Sequence, residues 1–206
     1  MYARSTTIQG NPQAIDEGMA YVRDEVMPMV QGMDGCIGLS MVADRASGRC
    51  IVTTAWASED AMRASAESVR ASRARAGEIF GATPEVADWE IAVMHRVHET
   101  GSGARTRVIW GHTTPGRMND MLDTFRMSMV PKMEDLPGFC SCNLMVDRQS
   151  GRTALAVSYE SAEAMERAGD RAAALRAEAP RMMGMEIDEF ADFDLLIAHL
   201  RVPETV

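Results

Sequence analysis

The chain is written twice. Asp44-Arg45-Ala46-Ser47-Gly48-Arg49 recurs 103 residues later as Asp147-Arg148-Gln149-Ser150-Gly151-Arg152, and the same offset pairs Pro12 with Pro115, Pro28 with Pro131, Gly35 with Gly138, Trp56 with Tyr159 and Ser58 with Ser161. Towards the carboxyl end the offset reads 104, pairing Asp88 with Asp192, Trp89 with Phe193 and His95 with His199. At the amino end it reads 101, pairing Arg4 with Arg105 and Gly10 with Gly111. Two long copies make two like domains, because a solenoid needs more and shorter repeats. We read them as residues 1–98 and 104–206, with the Gly/Ser-containing linker at 99–103 between them. At 206 residues, each copy has the length of a small autonomous domain.

The order of elements is legible within each copy. Residues 3–9 form a short β-type stretch with Ser5, Thr6, Thr7 and Ile8, and Asn11-Pro12 then supplies a cap and a proline at the first helical position. Ile15, Met19, Val22, Val26, Met29, Val30 and Met33 follow at helical spacing, matched in the second copy by Met118, Leu122, Phe125, Met129 and Met133. Pro28 and Pro131 fall at the same place in these helices and are expected to bend or break them. Gly35 or Gly138 ends the helix. Two strands come next, 36–43 and 50–57 in the first copy, joined by the Asp-Arg-x-Ser-Gly-Arg turn. Ser58 or Ser161 caps a second helix, and a long strand runs through 86–97 or 190–201. The order β-α-β-β-α-β, twice, is the ferredoxin-like arrangement. Both faces of the last strands are apolar, so both must be covered. Helices cover one face, and the natural cover for the other is the second copy's sheet. The expected fold class is therefore α+β: two tandem ferredoxin-like domains packed sheet to sheet as an intramolecular pseudo-dimeric barrel.

Charge narrows the partners. Lys and Arg number 21 against 30 Asp and Glu, a net −9, which argues against a phosphate backbone or an anionic membrane surface. No apolar run is long enough to span a bilayer and the first residues lack a secretion signal, so the expected compartment is the cytoplasm. There the cysteines at 36, 50, 140 and 142 are expected as buried thiols, and Cys140-Ser141-Cys142 is not a zinc pattern. No metal site is expected. P-loop, dinucleotide-binding, zinc-hydrolase and nucleophile-elbow motifs are all absent from the sequence.

Trp56-Ala57-Ser58-Glu59-Asp60-Ala61, with its counterpart Tyr159-Glu160-Ser161-Ala162-Glu163-Ala164, resembles the Trp-x-Ser-x-x-Ala step of the antibiotic biosynthesis monooxygenase (ABM) domain family, in the dimeric α+β barrel superfamily. Gly35 and Gly138 and the element order add to the resemblance, which covers the whole chain as a fusion of two copies. It implies oxygenation of anthrones or quinols without a bound cofactor, or haem degradation. The haem-degrading members carry a histidine on the second helix, where this chain has Ser65, Ser68 and Ser72, and an asparagine on the first strand that has no match here.

The candidate residues follow from chemistry. His95 and His199, on apolar strand faces, are candidate bases that would take a proton from a phenol or hydroquinone. Trp56 and Tyr159 are candidate walls for an aromatic ligand, with Trp89 and Phe193 beside them on the last strands. Trp110 and His112 share a face of the second copy's first strand, and their counterparts read as Gln9 and Asn11, an asymmetry that suggests one half kept a site. Arg4, Arg105 and Arg107 would be held by acids or hold a ligand anion. The 18 methionines suit a core or an adaptable pocket. The expected function is a cofactor-independent monooxygenase acting on an aromatic, quinol- or polyketide-like molecule bound between helices and sheet. A non-catalytic binding protein and a haem-binding or haem-degrading protein are the alternatives. The expected partner is a hydrophobic aromatic small molecule, with no nucleic acid and no membrane, and the pseudo-dimer is a candidate to pair again as a homodimer.

Overall fold

The computed structural model describes residues 1–200, 202 and 203; Arg201, the last residue of the expected final strand, lies outside them. The chain divides into two compact units, one of Met1–Trp89 with Phe193–Val202 and one built on Glu90–Asp192. The division falls inside two long strands.

Unit 1 begins with β1 (Tyr2–Gln9), followed by a short 3-10 turn at Pro12–Ala14. Asn11 caps that turn as its side chain accepts the Gln13 N–H at 3.1 Å. α1 (Ile15–Tyr21) and α2 (Met27–Gln31) are joined by a π-helical turn, Val22–Val26. β2 (Cys36–Asp44) and β3 (Arg49–Trp56) form the expected hairpin. Ser58 caps α3 (Glu59–Ala64), accepting the Ala61 N–H at 3.1 Å. The expected single helix is interrupted before α4 (Arg70–Phe80), and β4 (Glu85–Arg96) starts in this unit. Its strand order is β4-β1-β3-β2, the ferredoxin-like order, extended beyond β2 by the last residues of the chain's final strand.

Unit 2 repeats the plan. β5 (Arg105–His112) leads to α5 (Met118–Thr124), a π turn at Phe125–Met129 and α6 (Val130–Glu134). β6 (Phe139–Val146), β7 (Arg152–Tyr159), α7 (Ala162–Arg167), α8 (Gly169–Met183) and β8 (Glu186–Leu200) follow. β8 lies beside β5, then come β7, β6 and the second half of β4.

Strand register corrects one reading. Tyr2 faces Trp56 across the β1 ladder, and Arg105 faces Tyr159 across the β5 ladder. Tyr2 is thus equivalent to Arg105, and the offset is 103 in the first strands as well, not 101. Arg4 corresponds to Arg107, and Trp110 and His112 correspond to Thr7 and Gln9.

The prolines also act differently from expectation. The N–H of Met27 bonds to the Val22 carbonyl, and that of Val130 to the Phe125 carbonyl, each five residues back. Pro28 and Pro131 come next. A proline in an α-helix collides with the carbonyl four residues before it, and the extra residue in the wider turn shifts that carbonyl. The helix absorbs the proline without ending, and π turns of this kind recur at functional sites.

Each unit has its own core. In unit 1, Ile15, Val30, Leu39, Met41 and Phe80 pack between helices and sheet. In unit 2 the equivalent cluster is richer in methionine, with Met118, Met121, Met129, Met133 and Met183 around Phe125. The four cysteines are free thiols. Burial pushes Cys50 and Cys142 up to about 12 and Cys140 up to about 11, which removes the reactive thiolate at neutral pH. Among the described residues no helix is long and apolar enough to cross a membrane, and no cluster of three His, Cys, Asp or Glu side chains is arranged to hold a metal ion.

Candidate functional site

Unit 2 holds a cavity of about 60 Å³ between its helices and its sheet, partly open to solvent. The sheet supplies Arg107 and Ile109 from β5, Thr153, Leu155, Val157 and Tyr159 from β7, Leu144 from β6 and Ile187 from β8. These β7 residues alternate, as one face of a strand must. The first helix supplies Met121, Phe125, Met129 and Met133, so residues at both ends of the π turn line the cavity. α8 contributes Ala172, Leu175, Arg176, Ala179 and Met183, a stripe at helical spacing that is apolar except for Arg176.

Unit 1 differs at two of these positions. Met121 and Met183 are replaced there by Gly18 and Phe80. The Phe80 ring sits so close to Gly18 that a Cβ at Gly18 would lie 2.3 Å from its Cζ. A rigid ring pressed onto a helix that has no side chain at that point takes up room which flexible thioethers leave open.

The polar groups of the cavity have a clear order. Arg107 donates two hydrogen bonds to Asp192, both of 2.6 Å. Arg4 and Asp88 form the same bidentate pair in unit 1, at 2.6 and 2.7 Å. Of the arginines weighed from sequence, Arg4 and Arg107 are therefore held by acids. The exposed ring of Phe190 lies 5.3 Å from the Arg107 guanidinium and 4.4 Å from that of Arg176. Burial raises the Tyr159 phenol, against the opposing pull of Arg107 and Arg176. Tyr159 itself is 2 % exposed.

Of the sequence candidates, Tyr159 and Arg107 line this cavity. His95 lies on β4, paired with Glu134 and stacked on Phe139 at 6.3 Å between ring centroids, outside the lining. His199 lies on β8 opposite Leu39 in unit 1. Trp56 is fully buried in unit 1, where its indole N–H donates to Thr54 Oγ1 at 3.0 Å. The Trp89 indole donates to Ser5 Oγ at 2.9 Å, and Phe193 is wholly buried. Trp110 and His112 alternate with Arg107 and Ile109 and so point to the other face of β5.

His112 is an exposed ion-pair partner of Asp188, with Nδ1 2.9 Å from a carboxylate oxygen. Asp188 and then Glu186 raise the imidazole above its usual 6.5. Its stabilising effect is therefore complete below that value and is lost as pH rises through the higher folded value. His112→Gln is expected to melt below the wild type at about pH 5.5 and together with it at about pH 9, in paired thermal melts.

Two features escaped the sequence analysis. His98 Nε2 lies 3.2 Å from Glu160 Oε1 and 3.4 Å from Cys140 Sγ. The Cys140 thiol is wholly buried and strongly disfavours ionisation, so this group is not a nucleophile with its base. Arg176 was missed too. Its signal was present: arginines recur at 73 and 176, at the common offset, and Arg176 interrupts an otherwise apolar helical stripe.

Comparison with known proteins agrees with this architecture. Residues 1–77 match the family described as antibiotic biosynthesis monooxygenase. The chain is 48 % identical over 206 residues to the uncharacterized protein Rv2557 of Mycobacterium tuberculosis, spanning 100 % of this chain and 92 % of the relative. The uncharacterized protein Rv2558 of the same organism is 47 % identical over 207 residues, covering 100 % and 88 %. Among solved structures, an anthrone oxidase-like protein superposes with a TM-score of 0.64 at 13 % identity, covering 96 % of this chain and 92 % of that one. The haem-degrading enzyme LmHde of Listeria monocytogenes superposes at 0.54 with 10 % identity, covering 94 % and 99 %. At such identities the two structures speak for the fold alone. The matched first copy, and the same element order carried through the second, mean that this chain belongs to the antibiotic biosynthesis monooxygenase family.

Proposed function

We propose that the chain is a monooxygenase that works without a bound cofactor, on a small aromatic molecule of the anthrone or quinol class held in the unit 2 cavity. The observation that carries this reading is the lining: a mostly apolar, thioether-rich space partly open to solvent, with one phenol and two arginines in its wall, of which Arg107 is paired with Asp192. Such a space admits a flat apolar molecule and dioxygen while shedding water.

For an anthrone the balanced reaction is a ring CH2 plus O2 giving C=O plus water. One C–H proton leaves to solvent at the open side, and the electron pair remains as a ring-delocalised anion. That anion forms a C–O bond with oxygen and takes up a proton to give a hydroperoxide. The O–O bond then breaks as the second C–H proton departs with the leaving hydroxide as water. The Tyr159 hydroxyl, in the cavity lining, donates a hydrogen bond to the oxygen of that anion. His95 and His199 stand outside the lining, so this reading gives them no role in proton removal.

Haem does not fit the lining. Among the described residues it offers no imidazole, and burial raises the Tyr159 phenol, away from the phenolate that ligates iron. The absence of a lining histidine favours a second reading, a non-catalytic carrier of the same class of molecule.

An oxygen electrode with anthrone as substrate separates the two. Oxygen uptake that saturates with anthrone and yields one anthraquinone per O2 is the expected result. Saturable anthrone binding without uptake would leave the carrier, and no binding at all would remove both readings.

A further inference from the structure

Arg176 is a part-buried cation on the cavity-facing stripe of α8, and its Nη1 is shielded from solvent with no hydrogen-bond partner among the described residues. Its neighbours do not answer that need. Phe190 meets the guanidinium plane, which leaves the in-plane N–H groups free to donate. Arg107 brings a like charge, and the Asp192 carboxylate beside it accepts two hydrogen bonds from Arg107. Burying a charged donor without an acceptor is unfavourable, and native folds rarely keep one without a function.

The equivalent arginine of unit 1 shows how the need is met there. Arg73 donates through Nη2 to the Ala66 carbonyl at 3.1 Å. That carbonyl is available because the helix is interrupted between α3 and α4. In unit 2 the matching residue is Gly169, the first of the fifteen residues of α8, and a carbonyl there serves the helix's own i→i+4 ladder. The acceptor that unit 1 finds in its backbone is thus withdrawn in unit 2, beside an open cavity.

We infer that Arg176 makes the cavity selective for aromatic acids, its free N–H donating to a carboxylate on the otherwise apolar ligand. This deepens the reading of the cavity as the ligand site and rests on it. The apolar lining takes the ring system, and the one unmet charge in the wall takes the acid.

Isothermal titration of the full chain at neutral pH with 2-naphthoate and with 2-acetylnaphthalene, a neutral compound of similar size and shape, tests the inference. The wild type is expected to bind the acid about tenfold or more tightly than the ketone, as a charge-assisted hydrogen bond in a shielded site would give. Arg176→Met should bring the acid down to the level of the ketone while leaving ketone binding within about threefold. Equal binding of both compounds by the wild type would overturn the inference and leave the cavity reading standing. Binding of neither would remove the cavity reading and the inference with it. The wild-type ratio needs no variant, so a poorly folded Arg176→Met could not shelter the proposal from a ratio near one.

Discussion

Leu155→Trp is expected to abolish ligand binding and anthrone-dependent oxygen uptake, lowering both by about 100-fold or more, while the protein stays folded. Leu155 sits on the β7 face that floors the cavity, in line with Thr153, Val157 and Tyr159. An indole there extends into open space and removes the room a flat ligand needs. Forcing extra volume into a closed core costs about 1–3 kcal/mol, but here the added ring has somewhere to go, so the melting temperature should move by no more than a few degrees.

The equivalent change in unit 1 serves as its counterpart. Val52 packs against the cluster that contains Phe80. Val52→Trp should lower the melting temperature and leave binding stoichiometry unchanged. Full anthrone binding by a folded Leu155→Trp would mean that the unit 2 cavity is not the ligand site.

Gly138→Ala is expected to lower stability by about 2–5 kcal/mol, from two separable causes. Gly138 has φ +68°, a left-handed backbone that costs an L-residue roughly 1–2 kcal/mol. The added Cβ would also lie 2.4 Å from the Ala164 Cβ at the start of α7, an overlap worth about 1–3 kcal/mol. For a chain of this size the sum is a fall of about 5–15 °C in melting temperature.

Gly103 separates the two causes. It has φ +85° but nothing within 4 Å of its would-be Cβ. Gly103→Ala should therefore show the backbone cost alone, a fall of about 2–6 °C. Adding Ala164→Gly to Gly138→Ala should recover part of the overlap, less about 1 kcal/mol for a glycine inside α7. A Gly138→Ala melt no lower than that of Gly103→Ala would refute the close contact with α7.

The helix-to-strand glycines, the serine caps and the Asp-Arg-x-Ser-Gly-Arg turns were all legible, because each satisfies backbone groups within a few residues of itself. Ser58 and Ser161 cap as expected, at 3.1 and 3.2 Å. Asp44 and Asp147 bond the backbone of their own turns. The first-strand offset was misread because short runs such as Ala3-Arg4 and Ala104-Arg105 match by chance. Only the hydrogen-bond ladders tie Tyr2 to Trp56 and Arg105 to Tyr159. The histidines drew attention through their chemistry, yet His95 answers to Glu134 and His112 to Asp188. A single sequence does not say which carboxylate a strand will meet.

The sequence by itself determined the two copies, their element order, the family and the apolar stripes that each helix turns to its sheet. These follow from periodicity and capping, whose physics acts over a few residues. Which side chains meet between helices and sheet was decided by tertiary packing alone. The Phe80 ring presses on Gly18 in one unit, while Met121 and Met183 line a cavity in the other. The difference is one of volume between side chains more than sixty residues apart, and volume is compared only once the chain has brought them together.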